Sequence, residues 1–227
     1  MMGQVMFMRK GEVHTAPVQG LLLRDISEGS IVKLNENGSP VEFYVAKHNY
    51  ESALNGEGRT LLVRRYLLDA IQEYDDDQSN VFDGSTMDTW FNSEYLSRFT
   101  ADAQGLIGTT LFYNTVGGGN STITTFKKAV FALSFAEYGL SATYANAVGT
   151  AVPIAVSIRV AKTSDGTACI HWTRDPYKSG TTNACFIQPS GAASGSTANR
   201  GVSRYRPAFT LPSTAKFDPD TLLFKEA

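Results

Sequence analysis

"HWTRDP", residues 171–176, and "YRPAFTLP", residues 205–212, are the two stretches on which the reading of this 227-residue chain turns. The first gathers His171, Trp172, Arg174 and Asp175 within a single hexapeptide, a mixture that suits an active site, a ligand site or the internal frame of a fold. Both read as strands, in which neighbouring side chains point to opposite faces, so His171 and Trp172 do not share one. An arginine at a strand end carries five N–H donors, and buried loop carbonyls must find partners. Trp172, Arg174 and Arg206 are therefore expected to form a frame, with the Trp172 indole N–H on a loop carbonyl. The functional reading of the same region puts Arg174, Asp175, Tyr177, Asn183, Asn199 and Arg200 around a ligand, on loops above a rigid floor.

Upstream, "SIVKLNENGSPVEFYVAKH" (30–48) has two β-rich runs around Asn37-Gly38, a pair that accepts the positive φ of a tight hairpin. "RTLLVRRYLL" (59–68) reads as a further buried strand. Helical character is confined to the middle of the chain. Ser85 is placed to cap "STMDTWFNSEYLSRF" (85–99), with Asp88 completing a capping-box pattern and Trp90, Phe91, Tyr95, Leu96 and Phe99 recurring on one face. Thr100 is placed to cap a second short helix that ends at Gly108. "TTLFYN" then reads as a strand, "VGGGNST" as a mobile hairpin tip, and "KKAVFALSFAEYGL" as a strand entering a helical turn around 135–138. The remainder is strand and Gly/Ser/Asn-rich loop. The fold class expected is α+β, mostly antiparallel strands with two short helices and long loops.

Composition bounds the function. Hydrophobic residues make up 42% and charged residues 19%, with a net charge of −2, which gives no general pull toward nucleic acid or an anionic membrane. No run of eighteen apolar residues is present, and the start of the chain has its apolar run before its charges, the reverse of a secretory signal. Folding in the cytosol is the expectation. Cys169 and Cys185 form no CxxC pair, and they read either as reduced thiols or as a cross-strand disulfide.

The motifs of catalysis are missing. There is no GxSxG, P-loop, HExxH or GxGxxG, and His14, His48 and His171 have no nucleophile nearby in sequence. "EYDDDQSN" (73–80) lacks the alternation of a calcium loop and reads as a solvated acidic loop. Glu94, Asp88 and Asp175 are the carboxylates that a hydrolase reading would recruit, but Asp88 and Glu94 fall on different faces of the helix. No metal ligands and no cofactor are implied.

The order of motifs resembles a prophage- and phage-tail-associated domain family of unassigned function with a C-type-lectin-like fold, related in fold to formylglycine-generating enzymes. The resemblance rests on "GSIVKLNENGSPVEFYVAKH" (29–48), "TLLVRR", "STMDTWFNSEYLSRF" (85–99), "KAVFALSFAEYGL", "HWTRDP" and "YRPAFTLPS", in that order over 29–213. Two departures stand out: His171 replaces the first Trp of a Trp-Trp pair, and Asp175 replaces a Ser before proline. Cys169 and Cys185 do not match the catalytic cysteines of the formylglycine-generating relatives. "IQPS" and "TRDP" do not match the sugar-reading motifs of calcium-dependent lectins. Enzyme activity and calcium-dependent sugar binding are thus not implied.

The resemblance implies a C-type-lectin-like domain at 29–213, an attachment arm at 1–28 and a tail at 214–227, with Trp90, Trp172, Arg174 and Arg206 as structural frame. It implies a virion component assembled in the host cytoplasm, acting by non-covalent recognition, either at a tail or baseplate or as a capsid fibre or decoration. Its partners would be a host-surface glycan or protein and other virion subunits, met through 1–28 and the tail, in a homo-oligomer. A bacterial surface adhesin and a cell-wall-active or formylglycine-generating-type enzyme are the alternatives.

Overall fold

A computed structural model describes residues 20–226. Strands β1 (Leu21–Leu22), β2 (Ile31–Glu36), β3 (Ser39–Lys47) and β4 (Arg59–Arg64) come first, with a one-turn helix α1 (Ser52–Asn55) between the last two. After β5 (Ile71–Gln72) come helices α2 (Thr86–Trp90) and α3 (Ala101–Leu106), then β6 (Thr110–Gly117), β7 (Asn120–Lys128) and β8 (Val130–Phe131). A short α4 (Ala155–Ile158) precedes β9 (His171–Pro176), β10 (Asn183–Ile187), β11 (Ala193–Thr197), β12 (Ser203–Arg204), β13 (Ala208–Pro212) and β14 (Lys216–Phe217). The architecture is α+β with mostly antiparallel strands and few short helices.

Two five-stranded sheets organise the molecule. The first runs β2-β3-β4-β13-β8 and the second β11-β10-β9-β12-β5. In the second sheet β9 and β12 run parallel through Arg204 and His171, while the other pairings are antiparallel. The β2–β3 hairpin closes at Asn37-Gly38, whose φ values of 51° and 77° are those that this dipeptide tolerates. On β4, Thr60–Val63 are all buried, as the unbroken apolar run suggests. The "YRPAFTLP" stretch supplies β13 at the heart of the first sheet, with Phe209 opposite Leu62. "HWTRDP" supplies β9 at the heart of the second, with every residue buried.

Helix α2 covers the first sheet. Ser85 Oγ accepts the Asp88 N–H at 3.1 Å, and Asp88 reaches back to the Gly84 N–H at 2.9 Å rather than to Ser85. The helix continues as a π turn, Phe91–Tyr95, and a 3-10 turn, Leu96–Arg98. Its aromatic face reaches the sheet at Phe99, whose ring centroid lies 5.3 Å from Phe209, which in turn meets Phe43 at 5.2 Å. Each such edge-to-face pair contributes about 0.5–1.5 kcal/mol beyond its buried area.

Two local expectations change, and the helical turn around 135–138 is present. The glycine turn of the β6–β7 hairpin is docked rather than mobile: Gly118 N–H donates to Asn80 Oδ1 at 2.7 Å and Gly119 N–H to the Gly180 carbonyl at 3.0 Å. A Cβ at Gly117 would sit 2.9 Å from the Asn80 carbonyl oxygen, so the close approach needs glycine there. In the acidic loop, Asp76 and Asp77 face solvent, but Asp75 is buried and accepts N–H groups of Ser79 and Thr86 at 3.0 and 3.2 Å. The segment after β8 forms a turn in which Tyr138 N–H donates to the Ser134 carbonyl at 3.1 Å.

The boundaries at 28 and 213 also move. Leu23 and Ile26 are buried, as are Phe217 and Phe224, and β1 pairs with β14. Lys33 exchanges backbone hydrogen bonds with Leu222 and Phe224, both at 2.8 Å, so the last strand-like residues cover the edge of β2. Residues 20–28 and 214–226 thus belong to the packed body. The expectation of an arm at 1–28 otherwise falls on residues 1–19, outside the described residues.

Candidate functional site

Arg174 is completely buried, and all five of its N–H donors are spent on protein. Nη1 and Nη2 grip Glu137 in a bidentate pair at 2.5 and 2.8 Å. Nη1 also donates to the Ala132 carbonyl at 2.9 Å, and Nη2 and Nε to the Tyr113 carbonyl at 3.1 and 3.3 Å. Its guanidinium carbon lies 4.7 Å from the Phe112 ring centroid. Burial opposes this cation, but Glu137 and the Tyr50 oxygen outweigh burial and hold the guanidinium pKa above its usual value. Tyr50 OH donates to Glu137 at 2.5 Å; burial and the neighbouring carboxylate push the phenol well above its ordinary pKa.

Glu137 is positioned locally. Ser134 N–H donates to its carboxylate at 2.9 Å while Glu137 N–H donates to Ser134 Oγ at 3.2 Å, a reciprocal capping pair in a bare turn. The Ser-x-x-Glu spacing in "LSFAE" is the sequence signal that could have found it. Removing one member of such a buried pair costs about 3–5 kcal/mol, because the other charge is left uncompensated.

Trp172 and Arg206 hold the stretch between β4 and β5. The Trp172 indole donates to the Gln72 carbonyl at 3.0 Å. Arg206 Nε donates to the Arg64 carbonyl at 2.9 Å, Nη2 to the Arg65 carbonyl at 3.3 Å, and Nη1 to the Ile158 carbonyl. Arg64 itself donates to the carbonyls of Tyr66 and Leu67 at 2.5 and 3.1 Å. All of these bonds except the one to Ile158 fix backbone in residues 64–72, and that stretch is one wall of a large hollow.

The hollow is a cleft of about 840 Å³. Lys33, Val41 and Glu42 line one side, Arg64 to Gln72 the next, and Trp90 and Arg98 of the helix close it, with Ser164 at the rim. Arg98 Cζ lies 5.0 Å over the Trp90 ring. The π turn between them adds a residue to the helical repeat, which brings Arg98 round to the side of Trp90. Glu36, beneath the cleft, is held by Arg64 Nε at 3.1 Å and by Tyr95 OH at 2.5 Å. Glu42 is held by Arg65 at 2.7 Å. Among the described residues Lys33 and Arg98 make no ion pair, and the Gln72 Oε1 atom is buried without a hydrogen-bond partner. The lining of this cleft offers an aromatic face, charged side chains and hydrogen-bonding groups.

The residues expected around a ligand fall elsewhere. Arg174 and Asp175 are interior, out of reach of a solute, so of its two expected places Arg174 takes the one in the frame, and Asp175 joins it. Asp175 accepts the Phe135 N–H at 2.7 Å, and burial pushes its pKa up to about 6 against the pull of Arg174. Tyr177 packs on Tyr144 at 4.4 Å and across Gly195. It comes together with Asn183, since Asn80 Nδ2 donates to the carbonyls of both, at 3.2 and 3.0 Å. Asn199 and Arg200 lie apart on the turn after β11, where Arg200 donates to Ser196 Oγ at 3.3 Å. None of the six lines the cleft. Trp90, expected in the frame, is a cleft wall, while Lys33, Arg64, Gln72 and Arg98 carried no sequence signal of a site.

Other reactive groups lie outside the cleft. His171 is buried against Tyr138 with no well-formed hydrogen bond on either ring nitrogen, and burial together with nearby Arg206 lowers its pKa well below the usual value. Cys169 and Cys185 are both free thiols. The carboxylates of the hydrolase reading each have a separate partner: Asp88 pairs with Lys128, Glu94 accepts the Trp90 indole N–H, and Asp175 caps Phe135. Among the described residues no group of three or more His, Cys, Asp or Glu could hold a metal ion.

A family model described as a domain of unknown function (DUF6273) matches residues 57–213. The chain belongs to this family. No curated protein and no solved structure matches it. The matched segment of this DUF6273 member holds Arg64, Gln72, Trp90, Arg98, Glu137, Trp172, Arg174 and Arg206. Lys33, Val41 and Glu42 lie before it, so the cleft is completed by the β2–β3 hairpin that precedes the matched segment.

Proposed function

We propose that the protein is a non-catalytic recognition module of a phage or phage-derived particle, with a C-type-lectin-like fold, and that the cleft at Trp90 is its binding site. The observation that carries the binding role is the cleft itself. The stacked Trp90 and Arg98 and unpaired Lys33 face a preformed hollow, whose wall is pinned by Trp172, Arg64 and Arg206. Pockets with a few convergent polar groups on a rigid wall are the usual seats of ligands. The ordered motifs from 29 to 213 support the phage assignment and the lectin-like fold. On a particle, many copies would make weak single contacts effective through avidity. Attachment to the particle falls to the N-terminal stretch, including residues 1–19. Labelled protein incubated with intact bacterial cells tests the recognition role: saturable binding, displaced by unlabelled protein, is the expected outcome. Particle incorporation without any saturable cell binding would leave a purely architectural subunit.

A further inference from the structure

Two further hollows flank the cleft, one on either side of shared wall residues. Trp90 and Gln72 are shared with a second hollow of about 340 Å³, lined also by Ile71, Glu73 and Tyr205. Tyr66 and Ser164 are shared with a third, of about 440 Å³, lined also by Tyr44, Arg65 and Lys162. Three hollows that share walls in sequence suit a chain of repeating units better than one compact ligand. Exposed apolar side chains mark both ends, Ile71 at one and Val160 at the other.

The charge of the groove opposes that of the protein. Six cationic side chains (Lys33, Arg64, Arg65, Arg98, Lys162 and Arg206) line the three hollows, against four acidic ones (Glu42, Asp69, Glu73 and Asp165). The whole chain carries −2. In the central cleft Glu42 is already paired to Arg65. Lys33 and Arg98 are left without an acidic partner among the described residues, while Asp69 is exposed at the rim. The Arg98 guanidinium carbon lies 5.0 Å from the Trp90 ring centroid, a cation–π contact that spends none of its N–H groups.

We propose that this groove takes an acidic glycan, a chain of sugar or polyol units bearing carboxylate or phosphate, with one acidic group gripped by Lys33 and Arg98 and a ring face laid against Trp90. The proposal rests on the recognition reading above and names its ligand class. Calorimetric titration with an oligogalacturonate, a poly(glycerol phosphate) chain, free galacturonate and neutral dextran tests it, with Arg98→Gln and Lys33→Gln variants alongside.

One or both acidic chains should bind, more tightly than free galacturonate and more weakly at high salt, and the arm that binds identifies carboxylate or phosphate. Each variant should weaken that binding about tenfold, the loss expected for one charge-assisted hydrogen bond. Lys33→Gln carries the test if Arg98→Gln disturbs folding, since the Lys33 side chain makes no internal ion pair. Dextran binding as tightly as the acidic chains, binding indifferent to both variants, or no binding of either acidic chain would each overturn the ligand class. Saturable attachment to cells, measured on the same preparation, separates that failure from failure of the recognition role.

Discussion

Asp175 is a carboxylate placed where an ionised group is costly. Its pKa of about 6 lies above that of a free aspartate, so the folded state holds its proton more tightly than the unfolded chain does. Stability from this group is fully present below pH ~4 and is lost as pH rises through 6, by up to about 3 kcal/mol for a shift of roughly two units. Asp175→Asn keeps an acceptor for the Phe135 N–H and removes the ionisation. The unfolding free energy of the wild type, relative to that variant, should therefore fall between pH 4 and pH 7.5 in urea titrations. A difference that stays flat across that range would show that the carboxyl is not destabilised by its surroundings. At this scale the sequence singled out Arg174 and Asp175 without their partners. Arg174 and Asp175 are adjacent polar residues on one strand, and nothing local says that Arg174 meets Glu137 or that Asp175 meets Phe135, partners 37 and 40 positions away.

Among the elements, the loops depend on one side chain. Asn80 is fully buried; its Nδ2 donates to the carbonyls of Tyr177, Gly180 and Asn183, and its Oδ1 accepts the Gly118 N–H. It clips the β6–β7 turn to the β9–β10 loop. Asn80→Ala leaves the Tyr177 carbonyl and the Gly118 N–H without these partners, at about 1–3 kcal/mol for each one that stays buried. A destabilisation of several kcal/mol is expected, with faster hydrogen exchange at Gly118 and Gly119. Exchange rates unchanged at both glycines would mean that the turn holds itself. The hairpin at Asn37-Gly38 and the caps at Ser85 and Thr100 were legible because they are local, written in residues no more than three apart. The docking of the glycine turn was not, because its partner lies 38 positions upstream.

For the whole molecule, the end of the chain acts as part of the first sheet's margin. Phe217 and Phe224 are buried, their ring centroids 5.8 Å apart, and Leu222 and Phe224 bond to Lys33 on the edge strand β2. Truncation after Ser213 should lower the melting temperature by several degrees and raise self-association, since two buried aromatics are lost and a strand edge is bared. Thermal melts and sedimentation of the truncated chain check this; a monomer with an unchanged melting temperature would make the segment dispensable. By itself, the sequence determined the α+β class, the strands of "HWTRDP" and "YRPAFTLP" and the local turns, because hydrophobic periodicity and turn chemistry act between near neighbours. Tertiary structure alone decided where the cleft lies. Its walls come from Lys33, residues 64–72, Trp90 and Arg98, which meet only when two sheets and a helix pack together. Long-range hydrogen bonds from Trp172 and Arg206 then pin that wall, and no spacing within the chain encodes such contacts.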